Sequence, residues 1–377
     1  MTAVKPIVVD IHTHIYPLCY IELLGSRERV PYIHKPITGH ARLIILPSDD
    51  DESKPAEMRG RPIDASYSSW DAKRTFMTLH GIEISVVSLA NPWLDFLPAS
   101  ESPKWAQMVN DELEKSCVDF NTELPDSKCK LYAFGTLPLS ASAEDNGVEI
   151  SRLKSLPHLK GIIMGTTGLG LGLDDPALTP IWQSLQDTQT LTFLHPHYGL
   201  PDAAFGGSEV VARSGHVLPL ALGFPLETTI AISRMFLAGV FDRFPNLKML
   251  LAHSGGALPF LAGRIQSCVE HERDFIANGG STHGPQRSIW EVLQTNIYLD
   301  AVIYGEPGLK AAVEAGSADR VMFGTDHPFF PPLGDKSDEW PSVSTNYSAI
   351  HGAFGKDQAI VHGILGQNAM RVLGLTT

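Results

Sequence analysis

Histidines and aspartates that could bind a metal stand at the ends of several apolar runs in this sequence. The first is the run Val8–His14, in which His12 and His14 are one residue apart. If this run forms a strand, side chains at i and i+2 point to the same side, so both imidazoles would face one point. Neutral imidazole is the commonest metal ligand, and two convergent rings are half of a zinc site. A pair of this kind is more often structural, so it does not establish a site by itself.

Strands and helices alternate along the chain and would set the positions of such residues. Eight apolar runs are predicted to be strands: residues 6–12, 82–89, 130–137, 159–164, 191–194, 247–252, 297–300 and 320–324. Helical segments separate them, and further helices from about residue 343 to residue 373 close the chain. This order predicts an α/β fold, a (β/α)8 TIM barrel, with residues 1–377 in a single domain.

Residues 15–66 do not fit this alternation. They hold six prolines and are longer than an ordinary connection between two elements. We interpret them as an insertion after the first strand, with a short hairpin near residues 41–46. We expect this insertion to cover the active-site end of the barrel.

The chemistry of a barrel of this kind lies at the carboxyl ends of its strands. Five of the predicted strands lead directly into residues that could do chemistry: His12 with His14, Asn91, His195, His253 and Asp326. Three imidazoles and one carboxylate match the ligands and the four-coordination of zinc. We therefore predict these metal ligands: His12, His14, His195 and Asp326. His253 then fits an acid–base role, and His197 a structural one.

The end of the fourth strand indicates how many metal ions to expect. A centre with two metals would need a lysine there to bridge them as a carbamate, but that end is Met164-Gly165. Lys160 lies at the other end of the strand, ~13 Å away. We expect one zinc ion, although manganese accepts the same ligands. The glycine-rich loop at 165–172 matches neither common phosphate-binding motif.

Charge and cysteine content exclude several classes of function. The net charge of −13 argues against nucleic acid and anionic membranes as partners, while a small carboxylated substrate could still bind a local cationic pocket. None of the four cysteines forms a CxxC pair, so neither a thiolate zinc site nor a disulfide framework is expected. We find no signal peptide and no apolar run long enough to cross a bilayer, and we expect a cytoplasmic protein.

Four motifs in order resemble the amidohydrolase superfamily, and within it the non-oxidative decarboxylases related to aminocarboxymuconate semialdehyde decarboxylase. These motifs are Asp10–His14, His195–His197, Ala252–Gly256 and Phe323–Phe329. Further stretches are similar to the fungal isoorotate (uracil-5-carboxylate) decarboxylases: 60–62, 89–93, 195–201, 215–229 and 326–332. This resemblance implies substrate contacts by Arg61, Asn91, Phe224 and the predicted ligand His195, and a homodimer or homotetramer.

The resemblance implies that the protein removes CO2 from a planar carboxylated ring, with 5-carboxyuracil (isoorotate) as the expected substrate. Zinc would orient the ring carboxylate, and Asp326 would protonate the ring carbon with the help of His253. Arg61 would bind a carboxylate or ring carbonyl, Asn91 would read a pyrimidine edge, and Phe224 would contact the ring face.

Three other functions remain open at this point. The first is decarboxylation of a phenolic acid such as γ-resorcylate. The second is hydrolysis of a lactone or amide by zinc-bound water, with Asp326 as the base. The third is a binding protein with a structural metal. His253, which stands beside an already complete ligand set, argues against this third function.

Overall fold

The computed structural model describes residues 6–46, 49–124, 127–276, 284–332 and 340–376. Its strands are β1 Val9–Ile15, β2 Tyr32–His34, β3 Ala41–Ile44, β4 Arg61–Ile63, β5 Ile84–Leu89, β6 Lys130–Gly135, β7 Leu159–Gly165, β8 Thr192–His195, β9 Met249–Leu251, β10 Ile297–Asp300 and β11 Val321–Met322. Its α-helices are α1 Leu18–Gly25, α2 Trp70–His80, α3 Ser102–Glu123, α4 Ala143–Leu153, α5 Thr179–Asp187, α6 Ser208–Ser214, α7 Phe224–Leu237, α8 Val240–Arg243, α9 Leu258–Ile276, α10 Ile289–Thr295, α11 Glu306–Gly316, α12 Pro341–Phe354, α13 Gln358–His362 and α14 Asn368–Leu373.

Eight strands form one parallel sheet that closes into a barrel. Their order is β1, β5, β6, β7, β8, β9, β10 and β11. The segment that follows β11 returns to β1, where the Ile11 amide donates to the Phe323 carbonyl over 3.0 Å. The His14 amide likewise donates to the His327 carbonyl over 2.7 Å. The predicted (β/α)8 barrel is confirmed, because helices connect consecutive strands of this sheet.

The strands and helices follow from local sequence signals. All residues of β1 and of β5 are buried, as expected for parallel strands that are covered on both faces. Helix α2 begins after Ser69, whose hydroxyl accepts from the Ala72 amide, and ends at Gly81, where φ is +64°. A capping box of Ser142 and Asp145 starts α4 in the same way.

The first strand differs from its predicted range of 6–12. It covers Val9–Ile15, so His12 and His14 both lie inside it and the i, i+2 argument applies to them directly. The apolar run alone placed the end too early, because the two histidines and Thr13 interrupt it. These polar residues are nevertheless buried in the barrel.

The predicted hairpin in the insertion is part of a larger element. Strands β2, β3 and β4 form a three-stranded antiparallel sheet with β3 in the middle. The sequence did not indicate β4, because it is three residues long and contains Pro62. The insertion also includes residues 47 and 48, which lie outside the described residues. The single-domain organisation and the covering role of the insertion stay predictions.

One helical run reaches the length that the sequence analysis did not find. This run is Pro219–Leu237, which has 19 residues and a mean hydropathy of 1.3. By length and composition alone, it is long and apolar enough to cross a membrane. Of the most apolar 18-residue window in this run, 44% is buried inside the fold. Within this run, Glu227 is buried and accepts a hydrogen bond from the Thr167 hydroxyl.

Candidate metal centre

Four side chains with metal-binding donor atoms meet at the carboxyl ends of the barrel strands. They are the four predicted ligands: His12, His14, His195 and Asp326. The two histidines of β1 point to the same side, and each of the three imidazole rings lies 5.1 Å from the other two, measured between centroids. The donor atoms of all four residues lie within 4.8 Å of one another, and all four residues are buried.

The atoms that face one another in this cluster fit a metal ion. Nε2 of His12, of His14 and of His195 is buried and has no hydrogen-bond partner among the described residues. Asp326 Oδ1 lies 3.4 Å from Nε2 of His12 and 3.5 Å from Nε2 of His14. Two tetrahedral ligands at 2.0–2.1 Å from one zinc ion are about 3.3 Å apart. Unpaired buried donors at this spacing are therefore explained by an ion between them.

The other nitrogen of each ring is held by the protein. His12 Nδ1 lies 2.6 Å from Asp300 Oδ2, and His14 Nδ1 lies 3.0 Å from the Ser88 hydroxyl. His195 Nδ1 lies 2.7 Å from the carbonyl oxygen of Pro196. Such contacts fix the ring orientation of metal-binding histidines and leave Nε2 free for the ion.

Asp300 contacts the cluster and was missed by the sequence analysis. Beyond its contact with His12, its carboxylate accepts from the backbone amides of His253, Ser254 and Val302 over 2.7–3.0 Å. It therefore connects one candidate ligand to the turn that carries His253. The signal was available, because Asp300 ends a predicted barrel strand as the other site residues do.

Neighbouring charges set the protonation of the cluster. Burial alone would raise the pKa of the Asp326 carboxyl, but His12 and the other rings hold that pKa well below its usual value. Burial opposes charge on His12, but Asp326 and Asp300 raise its pKa to about 10. Burial lowers the pKa of His14 to about 4. A metal ion must therefore displace a proton from His12, whereas His14 offers a neutral ring.

His253 lies beside the cluster, outside the group of four. Its Nε2 is 3.7 Å from Asp326 Oδ2, and its side chain is 13% exposed. The residue adopts a φ of +54°, and the next residue, Ser254, has a φ of +52°. Such positive φ values are uncommon outside glycine and often mark functional turns. Here the turn directs the ring toward Asp326.

Aromatic contacts lead from the cluster toward Arg61 and Phe224, whose predicted substrate contacts stay predictions. The Arg61 guanidinium lies 5.9 Å from the ring centroid of Phe329, whose ring is in turn 5.6 Å from that of His14. Within the described part of the chain, this guanidinium makes no hydrogen bond or ion pair. The Phe224 ring lies 6.4 Å from that of His195. Aromatic rings therefore stand next to two candidate ligands.

Asn91 is partly committed to the fold. Its side-chain amide donates to the His197 carbonyl over 2.9 Å, and its own backbone carbonyl accepts from the Tyr16 hydroxyl. One amide hydrogen of Asn91 is thus used to join the loop after β5 to the loop after β8. A role in reading substrate must rely on the rest of its amide group.

His197 lies outside the cluster. Its Nδ1 is 3.1 Å from the Thr167 carbonyl, its Nε2 is 3.5 Å from Asp95 Oδ1, and its ring stacks on Tyr198 at 3.8 Å. These contacts join the glycine-rich loop to the loop after β5. They agree with the structural role that we expected.

Two aromatic residues near the mouth were not indicated by sequence reasoning. Phe329 contacts His14 as described, and the Tyr67 ring packs edge-on against Phe329 at 5.7 Å. Phe329 lies in the motif that also holds Asp326, but a phenylalanine is usually a core residue, so its type alone carried no signal.

Comparison with known proteins places the chain in a family. The sequence profile of the amidohydrolase family matches residues 9–375, which include all four candidate ligands. The chain belongs to the amidohydrolase family. The barrel and the buried cluster of histidines and aspartate both lie within the matched residues. The predicted superfamily is confirmed.

Relatives of this amidohydrolase agree on the enzyme class. The chain is 27% identical over 376 residues to the 2-amino-3-carboxymuconate-6-semialdehyde decarboxylase of Dictyostelium discoideum, covering 97% of this chain and 91% of the relative. It is 25% identical over 298 residues to the gamma-resorcylate decarboxylase of Rhizobium radiobacter, covering 77% and 85%. The crystal structure of Metarhizium anisopliae IDCase superposes with a TM-score of 0.90 at 48% identity, covering 99% and 98%. The predicted class, a carboxy-lyase, is confirmed at this level.

Proposed function

We propose that this amidohydrolase converts 5-carboxyuracil to uracil and CO2. IDCase is an isoorotate decarboxylase, and at 48% identity it matches this chain over nearly its whole length. The barrel, the ligand cluster and the loops around the mouth belong to the region that matches. A planar ring that carries a carboxylate is therefore the substrate class that this proposal names.

The position of Arg61 is the observation that carries the proposal. Its guanidinium is unpaired within the described residues and stands over Phe329, next to candidate ligand His14. In contrast, Arg42 of the same small sheet donates to the carbonyls of Arg59 and Gly60. A free guanidinium at an aromatic wall suits a flat anion, because its planar fork binds a carboxylate through two hydrogen bonds.

We propose that one zinc ion binds at the cluster, with manganese as the alternative. The ligands would be the four residues of the cluster: His12, His14, His195 and Asp326. When bound, the ion supplies charge that orients the substrate carboxylate and the adjacent ring oxygen and withdraws electron density. Within the described residues only this group has the donors and spacing of a metal site.

Asp326 and His253 would move the proton that the reaction needs. The ring carbon takes a proton from the Asp326 carboxyl, the bond to the carboxylate breaks, and its electron pair restores the ring as CO2 leaves. The charge of a bound metal would oppose protonation of this carboxyl, so it would carry the proton only transiently. His253 Nε2, 3.7 Å from Asp326 Oδ2, can supply it.

The test is direct. Zinc-loaded protein is mixed with 5-carboxyuracil, and uracil is followed by chromatography. A second sample receives 2,6-dihydroxybenzoate, and a third is treated with a chelator before substrate is added. Manganese-loaded protein is assayed in parallel, which identifies the metal that supports the faster reaction.

The outcomes separate the candidate functions. Uracil that forms with metal and fails to form after chelation supports the proposal. Resorcinol alone would keep the decarboxylase mechanism and replace the substrate with a phenolic acid, an alternative that the gamma-resorcylate decarboxylase relative favours. If neither product forms, the substrate proposal is wrong, and lactones and amides are assayed next.

We also propose a homo-oligomer. Phe260 on α9 is 84% exposed, and it lines a cavity of about 190 Å³ together with residues of α9, of α11 and of the segments that precede these helices. An apolar cavity of about 150 Å³ can hold a benzene ring, so a second copy could insert its own Phe260 there. Light scattering of the wild type and of Phe260→Ser tests this: a monomeric wild type would contradict it.

A cytoplasmic location and the absence of nucleic-acid and membrane partners stay predictions.

A further inference from the structure

Lys73, on α2, has a side chain that is completely buried. Lysine is almost never fully buried without a paired charge. No carboxylate lies within ion-pair distance of Lys73 in the ranges that the structure describes, and the charge of the buried Asp10 acts on it from farther away. A buried ammonium destabilises the fold unless its donors are all used, so this lysine needs a specific explanation.

The amino group of Lys73 has three hydrogen-bond partners. Nζ lies 2.7 Å from the Thr13 hydroxyl and 3.2 Å from the His14 carbonyl, both on β1. It also lies 2.7 Å from His327 Nδ1, the third partner of the amino group. All of its hydrogen-bonding capacity is therefore used within the barrel wall.

These partners lie on the two segments that carry candidate ligands. Thr13 stands between His12 and His14, and His327 directly follows Asp326. The same segments are also joined where the Thr13 hydroxyl donates to the His327 carbonyl over 3.1 Å. This place is where the sheet closes, so its register decides how far the Asp326 carboxylate lies from the two rings of β1.

The His327 ring is held firmly enough to transmit this constraint. It packs on Phe76 at 3.8 Å and on Trp340 at 4.5 Å between ring centroids. The His327 amide also donates to the Thr325 hydroxyl over 3.2 Å. A buried ring with these contacts cannot turn to follow a displaced lysine without disturbing the Asp326 segment.

We propose that Lys73 is a positioning residue for the metal centre, and that it sets the distance between Asp326 and the histidines of β1 by joining the two edges of the closed barrel. This inference rests on the proposed metal site and is independent of the substrate. It predicts that loss of the three hydrogen bonds weakens metal binding even where the barrel stays folded.

The test compares Lys73→Met with Met77→Ala, a substitution at another fully buried residue of the same helix. Apoprotein is titrated with Co²⁺, and both the dissociation constant and the visible absorption spectrum are recorded, along with the melting temperature. We expect Lys73→Met to raise the dissociation constant about 10- to 100-fold and to alter the spectrum. We expect Met77→Ala to lower the melting temperature while changing the dissociation constant by no more than about twofold.

A conservative variant separates charge from geometry. Lys73→Arg keeps the positive charge but replaces three tetrahedral donors with a planar fork. We expect its Co²⁺ affinity to resemble that of Lys73→Met. Affinity equal to the wild type in Lys73→Arg would show that charge alone matters and would overturn the positioning role.

Wild-type Co²⁺ affinity and spectrum in Lys73→Met would also overturn the proposal, whatever its melting temperature. If Lys73→Met does not fold, Thr13→Val decides, because it removes one acceptor and nearly preserves side-chain size. It should weaken Co²⁺ binding with the same spectral change, and unchanged binding would contradict the inference.

A wild type that binds no Co²⁺ would instead contradict the metal site, and a wild type that binds Co²⁺ but does not decarboxylate 5-carboxyuracil would contradict only the substrate.

Discussion

At the scale of single residues, the site is defined by which polar atoms remain without partners. Nε2 of each of His12, His14 and His195 is free within the described chain, while Nδ1 of each ring is held. The sequence indicates residue types at strand ends, but it does not show which atoms of those residues are already used. The tertiary contacts answer this. The side-chain amide of Asn91 is partly used, because it donates to the His197 carbonyl, whereas the Arg61 guanidinium has no hydrogen-bond partner within the described residues.

Replacement of Asp326 tests the proposed proton transfer. Asp326→Asn keeps the shape of the side chain but cannot carry the proton, so we expect turnover of 5-carboxyuracil to fall at least ~100-fold. Asp187→Asn, at an exposed position on α5, is the matched control and should retain wild-type turnover. The rates are measured at saturating metal, with circular dichroism to verify folding. Normal turnover by Asp326→Asn would exclude both the decarboxylase and the hydrolase mechanism.

Replacement of Arg61 tests substrate binding. Because a hydrogen bond to a charged group contributes about 1.5–3 kcal/mol, we expect Arg61→Met to lower kcat/KM roughly 10- to 100-fold, mainly through KM. Arg61→Lys should restore part of this loss, since it keeps the charge without the fork. The exposed Arg29→Met is the control. Steady-state kinetics with an unchanged KM in Arg61→Met would remove Arg61 from the substrate site.

At the scale of elements, strand β4 matters because it carries Arg61. The strand is held by β3, with Leu43 paired to Arg61. Gly60 precedes it with a φ of +58°, and a Cβ there would overlap the Leu43 carbonyl. This close approach explains the glycine and couples the geometry of the small sheet to the position of the guanidinium.

Gly60→Ala should therefore damage both stability and substrate binding. Gly374 has the same φ of +58°, and a Cβ atom added to it would have no other atom within 4 Å. Gly374→Ala therefore measures the backbone strain alone, about 1–2 kcal/mol. We expect Gly60→Ala to lower the free energy of unfolding by more than this and to raise KM. Urea denaturation and steady-state kinetics provide both numbers. Identical effects of the two substitutions would show that the approach to Leu43 is unimportant.

At the scale of the whole molecule, loops from different strands meet through buried polar groups. Asp95, after β5, accepts from the Tyr198 hydroxyl over 2.8 Å and lies near His197, and both partners follow β8. Burial raises the pKa of the Asp95 carboxyl from 3.8 to about 6, although the Tyr198 contact lowers it. The folded protein therefore holds this proton at pH values where the unfolded chain has lost it.

This shift predicts a pH dependence of stability. A carboxyl with a raised pKa contributes stability that is complete below about pH 4 and is lost as the pH rises through about 6. This difference in pKa between the unfolded and the folded state contributes at most about 3 kcal/mol to the free energy of unfolding. Asp95→Asn cannot ionise, so its free energy of unfolding should fall less between pH 4 and pH 6 than that of the wild type. Asp187→Asn is again the control, and parallel curves for Asp95→Asn and wild type would contradict the shift.

Much of the architecture could be predicted because its signals are local. Buried parallel strands are continuous apolar runs of four to eight residues, and their order with intervening helices identifies the barrel. Strand ends then indicate where the chemistry lies, which is how His195 and Asp326 were selected. Boundaries were less accurate, as the shift of β1 shows, because buried histidines do not resemble core residues in a sequence.

By itself, the sequence determined the barrel, the four residues that the structure brings together, and the resemblance to a decarboxylase family. Only the tertiary structure revealed the contacts of Asp300, Phe329 and Lys73 near the cluster, and the hydrogen bond that partly commits the Asn91 amide. The physical reason is that these contacts join segments far apart in the chain. The Lys73 ammonium meets His327 across 254 positions, and the Asp300 carboxylate meets His12 across 288.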